Sequence, residues 1–388
     1  MPGKPLLEAI ATLVGFTIGA GILGIPYVIA KAGFVTGIIN ILIIGILVLF
    51  LNLYSGEIVL RTKGDHQLTG YASIYLGKTG KFLMAISIIF GFYGALAAYI
   101  LKEGDFLNAL LSPIFGGSPL FYSMIFFIIM AILVYKGLKV IEESELFMVF
   151  FLLVVILIIF VSAFSSIKPE NLAGFDAKNI FLPYGVVLFA LLGLGAIPEL
   201  REELKENKKG MKKAIIIGSV IPIIVYIIFA LIVVGATGKA TTDDAILGLA
   251  SLLGYKMLVF GTLFGILAMA TSFVAVGLAL KEMYCFDFKF KNSLSSFLTC
   301  FIPLAVALVI VSAKIDNAFY KVLDITGAFD GSLAGILVVL MIWKAKALGK
   351  RKPEYSMHLN KFTALLFILI FLAGTAYTIL KLAGIIKI

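Results

Sequence analysis

The sequence predicts an all-α polytopic membrane protein of about 11 transmembrane helices, arranged as two five-helix units of opposite orientation. Three observations carry this. Of 388 residues, 61% are hydrophobic and 14% charged, with a mean hydropathy of +1.11. Apolar runs long enough to span a bilayer, about 20 residues each, recur along the whole chain. Two of those runs, half a chain apart, are interrupted by glycines followed by Ile-Pro.

The runs and their breakers give spans 1 to 11 at about 6–33, 35–60, 82–111, 118–135, 145–165, 179–200, 212–236, 255–280, 294–312, 320–343 and 361–383. The first is too long in its apolar stretch, and too poor in flanking charge with Lys4 alone, to be a cleaved signal peptide. The stretch 66–81, with Tyr71, Tyr75 and Lys78, reads as an amphipathic helix at the membrane surface. Thr241 to Leu253 reads as a short loop helix whose first turn is capped by Asp243 and Asp244. A cytoplasmic N-terminus places Lys4, Lys136, Lys139 and the clusters at 61–81, 201–213, 281–291 and 344–361 on one side. That side then holds 22 of the 32 basic residues, the bias expected of the cytoplasmic face. The other ten include Lys31, Lys102, Lys381 and Lys387. An odd number of spans puts the C-terminus outside.

Composition also excludes classes of function. A soluble enzyme, a disordered chain and a nucleic-acid binder are incompatible with this hydropathy. The net charge of +10 sits in short loops between apolar runs, as in membrane proteins. Cys285 and Cys300 are the only cysteines and form no CxxC pair, so neither a disulfide framework nor a cysteine metal site is expected. His66 and His358 fall in loops. No cofactor is expected. Prenyl-transferase Asp-rich motifs, HExxH and an intramembrane Ser–His pair are missing from the sequence, which argues against a membrane-embedded enzyme. No repeated pore loop suggests a channel.

The breaks are the informative feature. Span 1 carries Gly15-Phe-Thr-Ile-Gly19-Ala-Gly21-Ile-Leu-Gly24-Ile-Pro26. Span 6 carries Gly193-Leu-Gly195-Ala-Ile-Pro198-Glu199. Proline removes a helix hydrogen bond, and glycine lets the backbone leave helical geometry cheaply. Freed backbone groups are tolerated inside a bilayer where they line a cavity. Close helix packing through small residues is the competing explanation. Five spans separate the two breaks, so residues 1–165 and 166–346 form an inverted repeat by topology. Residues 347–388 add a loop and span 11. Discontinuous helices at matching positions of two halves point to a transporter's midplane site.

The run Ile18-Gly-Ala-Gly-Ile-Leu-Gly-Ile-Pro26 resembles the helix-1 signature of the amino acid/auxin permease family. Phe189-Ala190, Gly193-Leu-Gly195, Ile-Pro-Glu199 and the following Glu202-Glu203-Leu-Lys resemble that family's helix 6 and its loop. Ala270-Thr271-Ser272-Phe273, with Phe286-Asp287-Phe288 beyond, is similar to helix 8 of the bacterial aromatic amino-acid and serine permease branch. The resemblance covers spans 1 to 10. It implies the LeuT-type fold and the transport of amino acids.

The chemistry of the breaks suits a zwitterion. Half-helix N-termini favour a carboxylate, and half-helix carbonyls favour an ammonium or a metal cation. The carboxylate is expected on the N–H groups of Gly19, Ala20, Gly21 and Ile22. The ammonium is expected at carbonyls of Thr17, Phe189, Ala190 and Leu191, with Gly193 opening span 6. The side-chain pocket is expected from Phe16, Tyr93, Gly94, Tyr99, Leu192 and Phe273. No charged group faces it, so the substrate is expected to be a neutral amino acid, apolar or small. Ala268, Thr271 and Ser272 share one helix face. With the carbonyls of Gly15 and Ile18 they would offer five neutral oxygens to a sodium ion. Alternatively the hydroxyls bond carbonyls of their own helix. The resemblance bears both ways. In proton-coupled relatives a span-5 lysine can occupy the sodium position, and Leu146 to Phe164 holds no ionisable residue. Sodium-coupled members often carry Asn where Gly15 stands. Glu199 is the candidate proton carrier if coupling is to protons. The expected partners are the amino acid and the lipid bilayer. The expected location is the plasma membrane, and the expected state is a monomer.

Overall fold

The structure, a computed structural model, describes residues 4–137, 140–315 and 317–386. Lys139 and Lys387 of the charge comparison lie outside the described residues. Fifteen α-helices are described, in chain order: α1 (Lys4–Thr17), α2 (Gly21–Ala32), α3 (Phe34–Arg61), α4 (Leu68–Phe115), α5 (Pro119–Lys136), α6 (Val140–Ala163), α7 (Tyr184–Leu191), α8 (Ile197–Glu203), α9 (Met211–Thr237), α10 (Ala245–Leu253), α11 (Tyr255–Glu282), α12 (Asn292–Ser312), α13 (Ala318–Thr326), α14 (Ser332–Leu348) and α15 (Lys361–Leu382). Ten segments are long and apolar enough to cross a membrane, and α1 with α2, bent by 55°, make an eleventh. Every predicted span has its counterpart.

Local sequence explains where the helices start, stop and kink. The Ser118 side chain accepts from the Phe121 N–H at 3.3 Å, and Pro119 occupies the first turn of α5. Gly137 ends that helix in the left-handed conformation, where a Cβ would be costly. Asp244 caps α10 through the N–H groups of Ile246 and Leu247, at 3.1 and 3.0 Å, as the acidic pair predicted. The predicted helix at 66–81 is present as the first segment of α4, set off from span 3 by a sharp bend at Gly77 (φ 73°). Its Tyr71 and Tyr75 are buried in protein, so that face serves internal packing. Span 10 is also interrupted: a π-turn at Gly327–Gly331 joins α13 to α14.

The halves of spans 1 and 6 occupy the centre, and α3, α6, α9, α11 and α13 pack against them, with Tyr99 and Phe92 of α4 reaching Gly19 and Gly195. Outer helices turn apolar side chains outward. Phe147 on α6 is 69% exposed and Val309 on α12 is 65% exposed. Such surfaces belong in acyl chains, because lipid supplies no hydrogen-bonding partner and demands none from them. At the end of the bundle that carries Arg61, the loop 349–360 is pinned by the fully buried Glu57. Glu57 pairs with Arg61 at 2.8 Å and accepts from Ser356 Oγ and the Met357 N–H at 2.9 and 2.6 Å. Burial, with the Glu57 carboxylate nearby, pushes the Tyr355 hydroxyl well above its ordinary range. It therefore stays protonated and donates to the Leu53 carbonyl at 2.7 Å.

Candidate functional site

The helix of span 1 ends at Thr17 and resumes at Gly21. The Gly19 N–H turns back to Thr17 O at 3.1 Å, and those of Ile22 and Leu23 reach Gly19 O and Ala20 O at 3.4 and 3.1 Å. Among the described residues, the N–H groups of Ala20 and Gly21 meet no backbone carbonyl. Pro26 lies inside α2, beyond the break, so the glycines rather than the proline open this helix. In span 6, α7 stops at Leu191. Leu192 is extended (φ −72°, ψ 105°), and one 3₁₀ turn leads into α8, whose first turn contains Pro198. Here the proline begins the second half-helix, where its missing N–H costs nothing.

The two breaks touch. A Cβ on Gly21 would lie 2.5 Å from Ala190 Cβ and 2.6 Å from Ala190 Cα. One turn further, Gly24 lies against Val186 of α7 and Leu323 of α13. On the α11 side, Ser272 Oγ stands 3.0 Å from Gly15 O and 3.3 Å from Ile18 O. A Cβ on Gly19 would meet both Ser272 Oγ and Tyr99 Oη at 2.7 Å, so its absence makes room for two hydroxyls at the break. The buried Tyr226 of α9 also reaches both breaks. Its Oη lies 2.8 Å from Thr17 O and 2.9 Å from Ala190 O.

Comparison with known proteins assigns this arrangement. The sequence profile of the tryptophan/tyrosine permease family matches residues 3–379. The chain belongs to that family. Among curated relatives of this permease, tyrosine-specific transport system 1 of Haemophilus influenzae is 28% identical over 369 residues, covering 89% of this chain and 88% of the relative. Glutamine transporter 2 of Aliivibrio fischeri is 24% identical, covering 91% and 92%. A crystal structure of MhsT in complex with L-phenylalanine superimposes with a TM-score of 0.71 at 17% identity, covering 96% of this chain and 98% of that one. The permease therefore has the LeuT-type fold. The match carries the aromatic branch of the resemblance, read from span 8, while the broader amino acid/auxin name read from spans 1 and 6 remains a resemblance.

The other candidate residues of the permease fall into three groups. Phe16 lies on the span-1 side with its ring 6.0 Å from that of Phe92, and both press on Gly195. Phe273 is fully buried beside Tyr99 and Phe126, with ring centroids 6.5 and 5.5 Å away. Phe189 and Leu192 are half-buried at the end of α7, and Gly193 lies against Leu13 and Thr17. These surround the breaks. Thr271 Oγ1 donates to Ala268 O at 2.9 Å, the intrahelical bond that was the alternative to ion ligation. Tyr93 and Gly94 face elsewhere. Gly94 packs on Thr326, and Tyr93 Oη meets Tyr284 Oη at 2.7 Å. Both line an apolar cavity of about 510 Å³ with Phe90, Val306, Val322 and Ile325, between spans 3, 9 and 10. Glu199 is half-buried in the first turn of α8.

Sequence reasoning passed over three polar groups in the interior, and a fourth, Asp330, lies there with them. Tyr226 is one. Lys102 of α4 is buried and pairs with Asp244 at 2.6 Å and Asp105 at 3.4 Å. Its neighbour Glu103 is fully buried, and among the described residues neither carboxyl oxygen has a hydrogen-bond partner. Asp330, on the π-turn, accepts from Ser87 Oγ at 2.9 Å and fills the space beside Gly91. Charges inside a span carry a functional presumption. That signal marks Asp330, deep in span 10, but not the Lys102-Glu103 pair, which reads as a solvated span end.

Proposed function

We propose that this permease is a secondary active transporter that imports a neutral amino acid, preferring an aromatic one, by alternating access. The observation that carries the reading is the meeting of two broken helices at Gly21 and Ala190. Free N–H groups of Ala20 and Gly21, and carbonyls of Thr17 and Ala190, converge there. Such backbone groups recognise an α-carboxylate and an α-ammonium without any charged side chain. Phe16, Phe92, Tyr99 and Phe273 supply apolar and aromatic surface for the side chain. The tyrosine, tryptophan and glutamine transport named for the relatives supports a neutral substrate. In this reading residues 1–165 and 166–346 are the two units that move against the site, and 347–388 is an addition. The protein works as a monomer in the plasma membrane, N-terminus inside and C-terminus outside.

Sodium is the proposed coupling ion. Gly15 O, Ile18 O and Ser272 Oγ converge within hydrogen-bonding distance, and the Ala268–Thr271 pair lies one turn away. Neutral oxygens of this kind suit a hard monovalent cation. Proton coupling is the second reading, and Glu103 favours it over Glu199 as the carrier. Tyr99 touches Ser272 and Phe106 touches Gly265, so α4 and α11 run antiparallel and Glu103 falls at the level of Ala268. A carboxyl without partners there is costly as an anion. A thermal-shift screen of the twenty amino acids, with and without sodium, tests the proposal. Stabilisation by L-tyrosine, L-tryptophan or L-phenylalanine that grows with sodium supports it. No stabilisation by any neutral amino acid would defeat it.

A further inference from the structure

Tyr226 is fully buried in α9 and contacts no candidate pocket side chain through its hydroxyl. It instead joins the two discontinuous helices. Thr17 is the last residue of α1, and Ala190 is the last but one of α7. Each is therefore a helix C-terminal carbonyl, lacking the intrahelical donor that interior carbonyls have. Both C-termini carry partial negative charge, and they converge on one point. Left alone, the two ends would repel and splay. A phenol has one hydrogen to give, yet its oxygen lies within 2.9 Å of both carbonyls. Among the described residues it is the only side-chain donor on either. Three oxygens thus share one hydroxyl proton, and the cluster still favours a cation.

We infer that Tyr226 is a positioning residue for the substrate's ammonium group: it pins the C-terminal ends of α1 and α7 together, so that Thr17 O and Ala190 O face one ammonium site. This rests on the proposed function and deepens it. Ala190 O keeps a second lone pair for the ligand, and Thr17 O, which also accepts from the Gly19 N–H at 3.1 Å, adds its partial negative charge. Pre-set carbonyls need no reorganisation when the ammonium arrives, which is where preorganised sites gain affinity. Substrate without an ammonium gains nothing from the pin.

The test is Tyr226→Phe, which removes one oxygen and keeps the ring. Wild-type and variant protein are compared for binding of L-phenylalanine, of its methyl ester, which keeps the ammonium, and of 3-phenylpropionate, which keeps the carboxylate alone. The inference predicts a Kd for L-phenylalanine raised roughly 5- to 15-fold, the loss of about one well-made hydrogen bond. The ester should suffer a like penalty and the acid none. In uptake, KM should rise by the same factor while the maximal rate stays within about twofold, since the lost contact serves binding. Folding is checked by gel filtration and melting temperature. An unchanged Kd for L-phenylalanine, or an equal penalty on all three ligands, overturns the inference. If wild-type protein binds none of the three, nor L-tyrosine or L-tryptophan, the proposed function itself fails, which is a different outcome.

Discussion

Replacing Gly21 by alanine adds one methyl group where spans 1 and 6 meet. Carbon atoms in contact settle at about 3.5–4.0 Å. The new Cβ would lie 2.5 Å from Ala190 Cβ and 2.6 Å from Ala190 Cα. Neither obstacle is the movable end of a long side chain, so the two half-helices must separate by roughly 1 Å. Overpacking of this kind costs typically about 1–3 kcal/mol. A displacement of about 1 Å between positioned groups can cost on the order of 100-fold in function. Gly21 is not in the left-handed region, so its backbone accepts alanine and the effect is steric. Substrate affinity of Gly21→Ala should therefore fall by roughly tenfold or more, with the protein still folded and monodisperse. Gly210→Ala is the control, because its nearest neighbours would be 3.5 and 3.6 Å away. Equilibrium binding of radiolabelled L-phenylalanine to purified protein reads both variants. Near-normal affinity in Gly21→Ala would refute the close approach of the two breaks as the basis of the site.

Two further outcomes follow from the coupling proposals. Ser272→Ala removes the hydroxyl nearest Gly15 O and Ile18 O, and should raise the sodium concentration for half-maximal uptake by about tenfold, the value of one hydrogen bond to a charged group. An unchanged sodium dependence would remove Ser272 from the ion site. If protons drive transport instead, Glu103→Gln should abolish uptake driven by a pH gradient while leaving substrate exchange intact, because exchange needs no net proton movement. Retained pH-driven uptake in that variant would exclude Glu103 as the carrier.

The helices were legible because the bilayer imposes their length, and only about 20 apolar residues satisfy it. The breaks were legible because glycine and proline are the residues that open a helix, although Pro26 and Pro198 turned out to act differently. In span 6 the proline starts a half-helix; in span 1 it lies past the break. Other features left no local mark. Tyr226 stands in the apolar run Val225-Tyr-Ile-Ile and reads as packing. Its role depends on carbonyls about 210 and 36 residues away in sequence. Gly94 shows the converse. A bare glycine on span 3 predicts space, but sequence does not say what fills it, and Thr326 of span 10 does. Glu103 follows Lys102, and the pair looks like a solvated helix end. Only the fold reveals that the lysine is paired with Asp244 while the glutamate is buried with no hydrogen-bond partner among the described residues.

The central claim is that neutral amino acids are moved against their gradient through a site at the two breaks. Purified protein in proteoliposomes, loaded without substrate and given an inward sodium gradient, measures it directly. The account predicts accumulation of L-phenylalanine, L-tyrosine or L-tryptophan above the external concentration. That accumulation should collapse when the gradient is dissipated and be strongly reduced in Gly21→Ala at substrate concentrations below its weakened affinity. Uptake no greater than in protein-free liposomes, under a sodium gradient and under a pH gradient alike, would contradict it.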